Sequence, residues 1–257
     1  MVGWRGAYVV MAIGLLGIAT LVVLVIRDGD DDVEREKHKR WSPSEPDSQE
    51  ESNTQEGFAA SEAIRTPAFW FLVVGMTLQQ FMRTGVSSQM VPHLRQVGFS
   101  AAAASGAMML LAFFGTSSKI IFGRLSETIT ARLAYVVILI LQVSGLVILV
   151  VSGGSRVAWG GIVVLGLGTG GVGALMPLVI TDTFGLKHFG SIMGLTKVPI
   201  IIPVLAGPIM AGMIFDATGG YNLVFLITIG MLVLSVGAFL LAKTPPREVL
   251  PLRSPKQ

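Results

Sequence analysis

The chain contains no cysteine, which excludes disulfides, thiolate catalysis and cysteine-based zinc sites. Its histidines, His38, His93 and His188, stand far apart and show no paired metal-ligand spacing. Charge is scarce. Only 14% of the residues are charged against 52% hydrophobic, where a soluble domain carries about a quarter charged. Carboxylates are scarcest of all outside one stretch: 12 of the 16 acidic residues, with six of the 19 basic ones, fall between Arg27 and Arg65. Elsewhere only Glu127, Asp182, Asp216 and Glu248 remain, and none lies inside an apolar run. With a mean hydropathy of +0.70, the sequence is that of an integral membrane protein with one hydrophilic insert. Its pI of about 9.4 does not point to nucleic acid, because the basic residues sit at the ends of apolar runs, where membrane topology puts them.

What the chain does have is seven apolar runs, at 7–26, 68–91, 101–122, 133–152, 157–179, 192–214 and 221–242. Each is about 20 residues long, enough to cross a hydrocarbon core of ~30 Å. Lipid offers the backbone no hydrogen-bond partners, and the runs are continuous rather than alternating, so they are predicted to be helices. The first run is too long for the apolar region of a signal peptide and has no small-residue cleavage site. Counting Lys and Arg in the connections gives 13 on one side, three on the other (Arg5, Arg95, Arg156) and three within spans (Arg83, Lys119, Lys197). The positive-inside rule then puts the N-terminus outside and the C-terminus in the cytoplasm of a cell (plasma or inner) membrane. Trp4, Tyr8, Trp70, Tyr135, Trp159 and Tyr221 lie near span ends, as in an aromatic belt.

Residues 27–66 read as a disordered cytoplasmic linker: a charge run followed by Ser, Pro, Glu and Gln, too polar to bury a core. It is a solvated tether, or a regulatory or lipid-binding segment through the basic cluster Arg35–Arg40. The tail 244–257 is also placed in the cytoplasm. Ser100, ahead of an alanine run, is a candidate helix N-cap, and Asp216-Ala-Thr-Gly-Gly reads as a tight turn. No internal three-plus-three repeat is evident.

One motif suggests a nucleotide. Gly166-Leu-Gly168-Thr-Gly170-Gly171 satisfies G-x-G-x-x-G, the dinucleotide fingerprint when it joins a strand to a helix. Here it lies within one apolar run, and the next acid, Asp182, comes 11 positions after Gly171 instead of the ~20 of a ribose contact. Gly166, Gly170 and Ala174 recur every four residues, a small-residue face that lets a neighbouring helix approach. The sequence therefore predicts helix packing, with no nucleotide, cofactor, metal or enzymatic activity.

Charges inside spans are costly and mark candidate sites. Arg83 lies about 16 residues into the second span, roughly 24 Å along its axis. With Gln79, Gln80 and Ser87 it forms a polar stripe at helical spacing. A guanidinium there either holds a carboxylate bidentately or snorkels outward. Lys119, near the end of the third span, and Lys197, about five residues into the sixth, either bind substrate or snorkel. Pro199, Pro203 and Pro208 kink that sixth helix, for gating or for structure alone.

One helix, a long hydrophilic loop and six helices with short loops resemble the second half of a major facilitator superfamily transporter, entered at its sixth span through Gly3-Trp4-Arg5. Gly123, Leu125, Glu127 and Arg132 are similar to the family's loop that latches one conformational state, while Thr128, Thr130 and Ala131 depart from it. Val91-Pro92-His93-Leu94, Phe184–Gly194 and Gly207–Tyr221 look closest to the monocarboxylate and oxalate/formate branch. The resemblance implies an all-α membrane protein of seven transmembrane helices: a leading helix at 1–26, the linker, and a six-helix half-bundle over 67–243. It implies that Lys119, with Gly123, falls where the branch places a substrate-binding arginine, and that Gly115 replaces its acid one turn earlier. Lys197 would pair with Lys119 as a dianion-binding couple. It implies a carrier for a small organic anion, a mono- or dicarboxylate, working by alternating access. The other half would be missing by truncation or supplied by a separate chain. The rival reading is a non-transporting membrane half that anchors or binds a partner. No buried acid for proton coupling is visible in these spans.

Overall fold

A computed structural model describes residues 57–153 and 156–243, with Leu16, Gly17 and Thr20. Contacts divide the chain into Met1–Thr54 and Gln55–Gln257. In the first unit Leu16, Gly17 and Thr20 are helical, and the Thr20 hydroxyl donates to Leu16 O at 2.8 Å. The rest of the first span, Trp4, Tyr8, the linker as far as Glu56 and the tail lie outside the described residues.

The second unit is built of helices: α1 (Ala60–Ala63), α2 (Pro67–Phe81), a π-helical segment (Met82–Val86), α3 (Ser87–Gln96), α4 (Ala101–Thr128), α5 (Ala131–Ser152), α6 (Val157–Phe184), α7 (Phe189–Thr218) and α8 (Asn222–Leu241). Every span expected after residue 67 appears. The second is interrupted by the π segment, and α4 to α8 are each long and apolar enough to cross a membrane. The starts follow from local chemistry. Thr66, Ser100 and Thr130 cap α2, α4 and α5 by accepting from the N–H three residues on, each satisfying a donor that a helix start leaves free. Pro67 at the first turn of α2 gives up an N–H that had no partner there.

Several expectations are corrected. The segment 57–66 is folded: Phe58 N–H donates to Phe184 O at 2.8 Å, Gly57 bridges Gly185, and Ala63 is fully buried. Polar composition masked this anchoring because Phe58, Ala63 and Ile64 are too few to register as an apolar run. Asp216-Ala-Thr is helical, and the reversal is confined to Gly219–Tyr221, with Gly219 at φ +71 in the left-handed region that glycine tolerates. Tyr135 and Tyr221 are buried rather than belted, Tyr135 stacked on Phe239 at 4.3 Å and Tyr221 on Phe215 at 4.4 Å. Trp70 is exposed, with its indole N–H on Ile64 O at 2.9 Å.

The glycine-rich run is one unbroken helix, α6, which packs between α4 and α5. A Cβ on Gly170 would overlap the Gly115 carbonyl of α4, and one on Gly166 would lie 3.0 Å from Leu111 O. Gly168 and Gly161 do the same toward α5, at 2.9 Å from Gln142 N and 3.1 Å from Gly145 O. The glycines thus serve two neighbours. Ala174, the third member of the expected face, is exposed.

Candidate functional site

α2, the π segment, α5, α6 and α7 enclose an open cavity of about 390 Å³. Its polar lining includes Gln79, Gln80, Arg83, Thr84 and Lys197, and Met76, Met176 and Met193 contribute to its apolar lining. None of the residues lining it is acidic.

The local sequence explains the placement. The Gln79/Gln80–Arg83 stripe lies where α2 passes into the π segment, a wider turn that recurs at functional positions. Gln79 is 2% exposed, so its amide is committed to the interior. Lys197 reaches the same space from α7, and its ammonium donates to Met176 Sδ at 3.3 Å. A thioether is a weak acceptor, which leaves the ammonium's charge without a counter-ion in that contact.

Four of the five substrate-site candidates, Gln79, Gln80, Arg83 and Lys197, therefore share one cavity. Lys119 does not line it; its side chain is exposed on α4. Ser87, the fourth member of the stripe, is also absent from the wall. Two polar lining residues, Thr84 and Tyr135, were not read as site residues from sequence. Thr84 has no signal beyond its neighbour Arg83. Tyr135 was read as a belt residue because it lies near a span end, and only the packing of α5 on α8 turns it inward.

The latch-loop residues gather at one end of the bundle. Arg132 donates to Ala242 O at the end of α8. Glu127 is exposed, Leu125 half-buried, and Gly123 has open space where a Cβ would be. Asp182, which the sequence offered only as a terminal acid, accepts from Ala131 N–H at 3.3 Å. Its carboxylate thus meets the first turn of α5, where the helix dipole favours a negative charge.

The family model described as Major Facilitator Superfamily matches residues 1–199. The chain belongs to the Major Facilitator Superfamily. Among curated relatives of this superfamily protein, Monocarboxylate transporter 2 of Mus musculus is 38% identical over 80 residues, 31% of this chain and 16% of that protein. Monocarboxylate transporter 4 of Gallus gallus is 30% identical over 169 residues, 62% of this chain and 35% of that protein. These alignments span about a third or less of the relatives' own length. Family membership and the five long apolar helices among the described residues make it a multi-pass membrane protein of this superfamily, similar over part of its length to monocarboxylate transporters.

Proposed function

We propose that this protein is part of a secondary active transporter that moves a small organic anion by alternating access. The observation that carries this reading is the meeting of Arg83 and Lys197, from separate helices, in a cavity whose lining holds no carboxylate. Arg83 offers a planar fork for a carboxylate, Gln79 and Gln80 supply amide donors, and Lys197 adds a second positive charge. The apolar lining favours a carboxylate with a hydrocarbon body, since burying that body adds about 25 cal/mol per Å². The names of the relatives, monocarboxylate transporters, agree with such a substrate.

The second wall of the path is assigned to a further set of helices. The cavity is open, and the outer faces of α4 and α7 carry Met109, Phe113, Leu205 and Met213, all at least 65% exposed. The positive-inside count supports a cytoplasmic position for residues 27–66 and for the tail.

The test is uptake of a labelled carboxylate by cells expressing the complete transporter. Arg83→Gln and Lys197→Gln are each expected to lower uptake about tenfold or more, the scale of losing one charge-assisted hydrogen bond, at unchanged membrane level. Lys119→Gln, outside the cavity, separates this site from the one the family resemblance implies. Wild-type uptake by both Arg83→Gln and Lys197→Gln would overturn the assignment.

A further inference from the structure

Thr84 stands beside Arg83 in the π segment and lines the same cavity. Its hydroxyl oxygen lies 3.0 Å from Gln80 O, one turn back in its own helix, and 2.7 Å from Pro203 O on α7. A hydroxyl has one proton to donate, so it serves one carbonyl at a time. The choice matters: one bond belongs to the α2 side alone, and the other ties it to α7.

The surroundings leave this hydroxyl little company. The π segment and α7 cross backbone to backbone at Gly85 and Gly207. A Cβ on Gly207 would lie 2.5 Å from Thr84 Oγ1 and 3.1 Å from Gly85 N, and one on Gly85 would lie 3.5 Å from Gly207 O. Among the described residues, Thr84–Pro203 is the side-chain hydrogen bond joining the π segment to α7.

Both partners at this crossing are soft. Pro199, Pro203 and Pro208 lack an N–H, so the carbonyls of Leu195, Pro199 and Val204, each four residues earlier, lose their helical donors. On the other side, the π turn is already a departure from the regular ladder. Lys197 lies between two of those three carbonyls, and Arg83 is Thr84's neighbour.

We propose that Thr84 is a positioning residue: its hydrogen bond to Pro203 fixes the spacing of the elements that carry Arg83 and Lys197. When the hydroxyl rotates to donate to Gln80 O instead, α7 is freed to flex about the Gly85–Gly207 crossing. The spacing part of this inference stands on geometry. Its importance for an anion rests on the function proposed above.

The cysteine-free sequence makes the test direct. Cysteines placed at Val74 on α2 and Val198 on α7, both exposed, can carry nitroxide labels in the otherwise intact chain, and pulsed dipolar spectroscopy reads their separation. Wild type and Thr84→Ser, which keeps the hydroxyl, are expected to give the same principal distance. Thr84→Val, of nearly equal shape, is expected to add a second population displaced by several Å. Should Thr84→Val be lost from the membrane, Thr84→Ala removes the same hydroxyl without bulk. Distance distributions of the hydroxyl-free variants that superimpose on wild type overturn the proposal. The anion reading is judged separately, by whether phenylacetate narrows the wild-type distribution and Arg83→Gln abolishes that effect. Its failure leaves the spacing result intact.

Discussion

A single position shows how far chemistry read along the chain can reach. Arg83 and Lys197 were legible as candidates because an ionised side chain inside an apolar run is costly and needs water or a partner. Their meeting was not legible, because 114 positions separate them and only the crossing of the π segment with α7 brings them together. Gln142 is a different kind of residue. It is fully buried, its amide donates to Gly168 O at 2.6 Å, and its own carbonyl oxygen finds no partner. Replacing the whole amide by an apolar side chain of similar length removes that orphan together with its bond. Gln142→Met is accordingly expected to change stability by no more than about 1 kcal/mol, whereas Gln142→Ala adds a cavity and costs more. Thermal unfolding in detergent orders the two.

At the scale of the helix, the glycines of α6 and of its neighbour α4 make graded predictions. Gly170 faces the Gly115 carbonyl with no room for a Cβ, whereas a Cβ on Gly115 would sit 3.3 Å from the movable Thr169 hydroxyl, and one on Gly173 would meet nothing within 4 Å. The melting temperature is therefore expected to fall most in Gly170→Ala, less in Gly115→Ala and least in Gly173→Ala. Overpacking of this kind costs about 1–3 kcal/mol or more where backbone must yield, and Gly170→Leu is expected to prevent normal assembly altogether. An equal effect at all three positions would contradict the packing account. The four-residue spacing announced the face toward α4. It did not announce the face toward α5, made by Gly161 and Gly168, because seven residues is two helical turns and reads equally well as a lipid-facing pair.

For the molecule as a whole, the proposed orientation can be checked by chemistry that the sequence itself makes clean. With no native thiol, Arg156→Cys is expected to react with an impermeant maleimide on intact cells, and Lys187→Cys only after permeabilisation. Both side chains are exposed, one at each end of the bundle. The reverse pattern would invert the topology. The clustering of Arg132, Ala242, Asp182, Phe184 and Phe58 at one end adds a second expectation: Asp182→Asn, which weakens the charge at the start of α5, lowers stability by about 0.3–1 kcal/mol. Its signature is sensitivity to salt, read as a smaller difference from wild type at high ionic strength.

The sequence alone determined that the chain is a multi-pass membrane protein, where its five long apolar helices after residue 100 fall, and where the basic residues stand along the chain. Those properties depend on composition within a window and on the length of a helix against a bilayer, both of which are local. The tertiary structure decided which polar residues share a cavity, which glycines touch which neighbour, and that Tyr135 turns inward while Lys119 stays outside. In a membrane protein nearly every side of a helix is apolar, so hydrophobicity cannot say which face meets protein and which meets lipid. Close packing of backbones at Gly115–Gly170 and Gly85–Gly207 makes that choice, and it exists only once the helices are assembled.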